Sequence, residues 1–416
     1  MINIFYPQIQ LLRKWKIKDL VCLGKSPFFC HDLSSFLVNR LLYNKYCNTL
    51  QSKGKYRQLP KAILGSFIDF STNDYLGLSQ SEVLFDAAKL SGAQFGVGST
   101  GSRLLSGNKK IFEDFEKRIA QDKRTESALI FNSGFQANIT VLASLLDQSV
   151  LGDKPIVFFD KLNHASLYQA VFLSNAELVR YQHNDTDHLS NLLTKFENDL
   201  RPKFIVTETI FGMDGDIAPI EKIFALSKEH EAFLYLDEAH ATGIIGHNGY
   251  GLSTSINLQE TPHLILGTFS KALGCFGAYV ACSNIIKNYL INKCPGFIYS
   301  TSLSPMVIGA AAKAWGLVQH FADQRQALSF KAANLRNNLQ NLGFNTGDSV
   351  THIIPIILGD ENIVMSAKEK LLKQGLIVSA IRPPTVSPGT SRLRIALNVN
   401  HTESNLNRLV HALQQI

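Results

Sequence analysis

From residue 109 onward the hydrophobic pattern switches repeatedly between short apolar runs and longer stretches of helical character. Ser127–Phe131 (SALIF), Pro155–Asp160 (PIVFFD), Glu177–Gln182, Lys203–Thr209 (KFIVTET), Ala232–Asp237 (AFLYLD), His263–Thr268 (HLILGT) and Ala278–Cys282 read as strands. Between them, Lys109–Asp122, Gly134–Leu146, His164–Leu173, Asp187–Asn198 and Ile220–Glu229 read as helices. Strands this apolar must be covered on both faces. Alternating with helices, they predict an α/β fold on a mostly parallel, seven-stranded sheet. After Pro305 the character changes. A long helical region runs to about Leu342. Strands at Ile353–Leu358, Ile377–Ile381 and Arg392–Leu397 follow, with helices at Asn362–Lys373 and Glu403–Gln415. The expected organisation is a basic extension over 1–66, a large domain over 67–305 and a smaller α+β domain over 306–416.

Composition narrows the classes. Of 416 residues 45% are hydrophobic and 18% charged, which allows a large core and excludes wholesale disorder. No apolar run reaches the roughly 18 residues of a membrane-spanning helix. The six cysteines form no C-x-x-C pair, so zinc-ribbon, thioredoxin-like and disulfide-scaffold readings fall away, and a cytoplasmic setting is expected. The net charge of +7 could suggest nucleic acid, but residues 1–66 carry +9 and the remainder −2. A solvated basic arm accounts for this. Attraction of an acidic substrate is the other reading. The first thirty residues lack a secretory cleavage pattern, while a transit peptide or a docking extension fits their composition.

The candidate chemistry lies at the ends of the apolar runs. Gly267-Thr268-Phe269-Ser270-Lys271-Ala272-Leu273-Gly274 sets a lysine directly after a strand, among small hydroxyl residues. A strand-end lysine reaching solvent is the plain explanation. The functional one is a Schiff-base lysine for pyridoxal phosphate, with Thr268 turned to the phosphate. Leu236-Asp237-Glu238-Ala239-His240 ends another run. Asp237 can supply the anion that a protonated pyridine nitrogen needs, and His240 can reach the ring hydroxyl; otherwise Asp237 is an ordinary helix cap. Phe131-Asn132-Ser133-Gly134-Phe135 passes from strand to helix and offers free N–H groups to a phosphate. His164, after the run Pro155–Asp160, can lie flat on a cofactor ring. Each signal is weak alone. All four fall at strand ends, where ligand sites of such sheets form.

These segments, with Phe70-Ser71-Thr72-Asn73-Asp74-Tyr75-Leu76-Gly77, Gly98-Ser99-Thr100-Gly101-Ser102-Arg103, Asp214-Gly215-Asp216 and Tyr299-Ser300-Thr301-Ser302, resemble the α-oxoamine synthases, fold-type I pyridoxal-phosphate enzymes. The resemblance runs from about Ser66 to the C-terminus. Ile381-Arg382-Pro383-Pro384-Thr385-Val386, continuing to Ile395, is similar to the branch serving biotin synthesis. That branch condenses L-alanine with a pimeloyl thioester on CoA or a carrier protein. The resemblance implies that Lys271 forms the covalent link and moves the Cα proton, and that Asp237, His240 and His164 meet the ring. Ser133, Gly134, Phe135 and Thr268 would contact the cofactor. Ser300 and Thr301 would reach its phosphate from the neighbouring subunit of a homodimer. Asn73, Thr385 and Arg394 would face substrate, with Arg40 as a candidate N-terminal arginine. Two departures stand out: Gly212 replaces a serine that bonds the cofactor, and Ile111 or Phe112 falls where the family tends to have histidine. A sister synthase with another amino acid or thioester, and a non-catalytic binding protein on the same fold, are the alternatives.

Overall fold

The computed structural model describes residues 41–52, 55–59 and 65–416, so Arg40 and the first forty residues of the basic arm lie outside the described residues. The apolar runs form seven strands: β1 (Ser127–Phe131), β2 (Ile156–Asp160), β3 (Glu177–Tyr181), β4 (Lys203–Glu208), β5 (Phe233–Asp237), β6 (His263–Thr268) and β7 (Ala278–Cys282). They join in one sheet in the order β1-β7-β6-β5-β4-β2-β3. The pairs from β6 through β3 are parallel, and β7 runs antiparallel to both neighbours. Six strands therefore share one direction, and their carboxyl ends share one edge.

Alternating side chains explain why these runs carry no polar face. Ile130, Phe158, Ile205, Leu236 and Ile265 pack on one side, with Phe115 and Trp315. Leu129, Val157, Val206, Tyr235 and Leu266 pack on the other, with Val141, Leu142 and Leu167 of the helices after β1 and β2. A period of two in a doubly covered sheet makes every position apolar.

The expected helical region after Pro305 is two helices, Pro305–Val318 and Ala322–Asn341. The chain turns at Gln319–Phe321, and Phe321 packs on the core of the large sheet. Two compact units emerge, one of Asp69–Pro355 and Ile395–Gln415, the other of 356–394 with the described residues up to Ile68. Both post-305 helices belong to the first of these units. The first helix packs along Glu82–Phe95, and Trp315 is fully buried.

The smaller unit is built on a three-stranded sheet of order β9-β10-β8, from β8 (Ile353–Gly359), β9 (Ser379–Ile381) and β10 (Ser391–Ala396). The expected strand at Ile377–Ile381 is split at Val378, because Leu376–Ile377 pairs instead with Ile68–Asp69. No helix among the described residues is long and apolar enough to cross a membrane.

One buried ion pair ties the turn after β5 to the body. Lys123, at the end of helix Lys110–Asp122, donates to the Glu238 carboxylate, to the Tyr250 carbonyl (2.7 Å) and to Ser253 Oγ (2.9 Å). Both side chains are fully buried. Burial pushes the Lys123 pKa down while the Glu238 charge opposes it. Removing one member of such a pair strands the other charge, at a cost of about 3–5 kcal/mol. Lys123→Ala is expected to lower the urea-unfolding free energy by about that amount. An unchanged unfolding midpoint would contradict the role given to the pair.

Candidate active site

The lysine sits in the tight connection from β6 to β7. Phe269 N–H donates to the Gly277 carbonyl, Cys275 N–H to Phe269 O, and Gly274 N–H to Lys271 O, so residues 269–277 close into a rigid loop. Phe269 is fully buried and anchors it. Lys271 Nζ lies 2.8 Å from His240 Nε2. On the far side of that ring, His240 Nδ1 lies 2.7 Å from Tyr75 Oη, and Tyr75 O–H donates to Asn73 Oδ1 (2.9 Å). Tyr75 is a residue the sequence reading passed over as part of a motif.

Asp237 ends β5 and is buried. Its carboxylate accepts from Ala239 N–H (2.9 Å) and from Asn138 Nδ2 (2.7 Å). Asn138 also donates to Ser166 Oγ (3.0 Å), and its Oδ1 accepts from Tyr235 O–H (2.9 Å). Ser166 Oγ in turn lies 2.7 Å from His164 Nδ1. One buried amide therefore links the carboxylate to the candidate stacking histidine. Asn138 closes the strand-to-helix segment that begins at Phe131, but its role is not legible locally, because its partners lie 28, 97 and 99 residues away.

A third group fits an anion. Ser133 caps helix Gly134–Leu145 by accepting from Gln136 N–H (3.2 Å). The amides of Gly134 and Phe135 fall in the first turn, which has no intrahelical acceptors. A Cβ on Gly134 would lie 3.8 Å from Thr268 Cβ, which puts the helix start beside the end of β6. Thr268 Oγ1 is 2.7 Å from Ser270 Oγ. Free amides, a helix dipole and two hydroxyls suit a phosphate. His164 and Phe135 are both exposed, edge to face at 6.4 Å. Lys271, Asp237, His240, His164, Ser133, Gly134, Phe135 and Thr268 thus meet on one edge of the sheet. Ser300 and Thr301 lie nearby in the same chain, where Ser300 Oγ accepts from Gln136 Nε2 (2.6 Å) and Thr301 O from Asn132 Nδ2 (2.8 Å).

Comparison with known proteins decides the family. Residues 66–413 match the model of aminotransferase class I and II. An 8-amino-7-oxononanoate synthase of Gluconacetobacter diazotrophicus is 43% identical over 351 residues, covering 84% of this chain and 87% of that protein. The chain belongs to the 8-amino-7-oxononanoate synthase branch of this family. The fold agrees. A serine palmitoyltransferase from Sphingomonas wittichii superposes with a TM-score of 0.81 at 27% identity, over 90% of this chain and 96% of that one. The 8-amino-7-oxononanoate synthase of Francisella tularensis gives 0.70 at 28% identity, over 84% and 97%.

Members of this family are pyridoxal-phosphate enzymes, and the donor set fits that group: an amine, a carboxylate and an anion cradle on one sheet edge. A further carboxyl was missed from sequence. Glu208 ends β4 as the cross-strand neighbour of Asp237. Burial pushes its pKa well above the usual carboxylate range, with the Asp237 charge adding to the effect and Lys271 opposing it. Glu208 N–H donates to Asn163 Oδ1 (3.2 Å), and Asn163 Nδ2 donates to Val206 O (2.8 Å), fixing the turn that carries His164.

A Cβ at Gly212 would lie 2.2 Å from His240 Nε2, so a side chain there would require the imidazole to shift. Phe112 is buried in the core, and Ile111 packs against it, so neither stands in for a histidine. In the smaller unit, Arg57 Nη2 donates to Thr385 Oγ1 (3.2 Å), and Arg382 Nη2 donates to Tyr56 O (2.8 Å). Arg394 lies on β10 opposite Ser379 and is buried. An arginine beside Thr385 is thus present at 57, a position the sequence reading did not choose.

The loop carrying Gly212 is clamped by a histidine between two carboxylates. His183 Nδ1 meets Asp160 Oδ1 at 2.9 Å and its Nε2 meets Asp216 Oδ2 at 2.6 Å. Burial would lower its pKa, but the hydrogen bonds and charges of Asp160 and Asp216 raise it to about 10. A pKa raised on folding stabilises fully below the unfolded value and less as pH climbs through the folded one. The urea midpoint is expected to decline between about pH 6.5 and about 10. His183→Gln should flatten that decline; an identical pH profile in the variant would contradict the clamp.

Proposed function

We propose that the chain is a pyridoxal-phosphate-dependent C-acyltransferase that condenses L-alanine with a pimeloyl thioester. Its products are 8-amino-7-oxononanoate, carbon dioxide and the free thiol of CoA or a carrier. The observation that carries this reading is the placement of Lys271, His240 and Asp237 on the carboxyl edge of the sheet, beside a helix start suited to phosphate.

Pyridoxal phosphate, when bound, supplies an electron sink for the charge left at Cα. Lys271 takes the Cα proton and later returns one. Asp237, held by Asn138 and Ala239, would face the ring nitrogen and favour its protonated form. Ser133, Gly134, Phe135 and Thr268 would hold the phosphate, and His164 would pack against the ring. Arg394 holds the carboxylate of alanine, which later leaves as carbon dioxide. Arg57, with Thr385, replaces Arg40 as the arginine that receives the acyl donor, since it already hydrogen-bonds that threonine. Ser300 and Thr301 serve a second subunit of a homodimer. Exposed apolar side chains support that arrangement, with Leu105 81% and Tyr299 83% accessible on segments bridged at Ser102 and Thr301.

Thiol release is expected with L-alanine and pimeloyl-CoA, and far less with glycine or serine, or with a palmitoyl thioester. Faster turnover of serine with the long-chain thioester would move the chain to a sister synthase. Lys271→Ala should abolish release. Arg57→Ala should raise KM for the thioester about tenfold, as expected for a lost charged hydrogen bond, and leave KM for alanine unchanged.

A further inference from the structure

Lys271 and His240 are in direct contact, and two neighbours decide the terms of that contact. On one side, position 212 leaves the space that the imidazole occupies: a Cβ there would stand 2.2 Å from Nε2, 2.8 Å from Cε1 and 2.9 Å from Cδ2. On the other, Tyr75 Oη sits 2.7 Å from Nδ1 and donates its hydrogen bond to Asn73 Oδ1. A hydroxyl whose hydrogen goes to Asn73 can only accept from His240. The tautomer that matches this donation has the ring proton on Nδ1 and leaves Nε2 to accept from the lysine nitrogen 2.8 Å away.

We propose that Gly212 and Tyr75 are positioning residues that make His240 the hydrogen-bond acceptor for Lys271, so that His240 sets the pH at which this amine becomes reactive. The proposal rests on Lys271 being the reacting amine and is independent of which amino acid or thioester is used. Within the larger unit, His164, Glu208 and Asp237 also act on the charge around Lys271. They stay in place when residue 212 or 75 is changed, so their influence cancels in the comparison. The glycine admits the ring, since any Cβ at 212 would meet it.

The test follows capture of pyridoxal 5′-phosphate by the full-length, cofactor-depleted chain, as the rate of the visible absorbance change against pH. Only the unprotonated amine reacts, so the midpoint of the profile reports Lys271, whereas a general loosening of the site would change the amplitude alone. An acceptor that favours the protonated amine raises its midpoint. Gly212→Ala and His240→Ala are each expected to lower it by about one pH unit. The double variant should fall no further than His240→Ala alone, and Tyr75→Phe should move the same way. Unchanged midpoints in the variants that still capture the cofactor would overturn the proposal. Cofactor capture by Lys271→Ala at the wild-type rate would instead overturn the functional reading beneath it.

Discussion

Two carboxyl groups, Asp237 and Glu208, end adjacent parallel strands, and a buried neighbouring pair of this kind holds one negative charge far more readily than two. The two strand ends differ: Asp237 is held by two hydrogen bonds, from Asn138 and Ala239, while Glu208 is kept toward its neutral form by burial and by the charge beside it. Every other part of the account needs that asymmetry, because a ring without a fixed counter-charge is a poor electron sink.

The surrounding scaffold holds this arrangement with charge rather than with apolar contact alone. Lys123 neutralises Glu238, the residue after Asp237, and so pins the turn leading to His240. His183 bridges Asp160 and Asp216 and fixes the loop whose glycine faces that same histidine. Strand ends, turn and loop are tied from three directions, which is what a site needs when its groups must act without rearranging.

Much of the fold could be read from the sequence because its strands are doubly buried. A continuous apolar run with polar flanks marks both ends of an element, so Ser127–Phe131, His263–Thr268 and Ala278–Cys282 have the expected bounds. Lys271, Asp237, His240 and Ser133–Phe135 were accessible for a related reason: each follows such a run at its carboxyl end. What stayed hidden depends on pairings across the chain. Asn138, Tyr75 and Glu208 act through partners that no local pattern announces. The placement of the post-305 helices with the large unit depends on Trp315 and its neighbours finding a distant core. The contact of Arg57 with Thr385 could not be read locally either, because a basic arm offers many arginines and lysines and only the fold brings one of them to that threonine.

The central claim is a covalent bond between the side chain at 271 and the aldehyde carbon of pyridoxal phosphate. Its most direct measurement is borohydride reduction of the full chain with the cofactor bound, followed by peptide mass mapping. The account requires the phosphopyridoxyl group on the peptide that contains Lys271. Its appearance on another lysine, or on none, would contradict it.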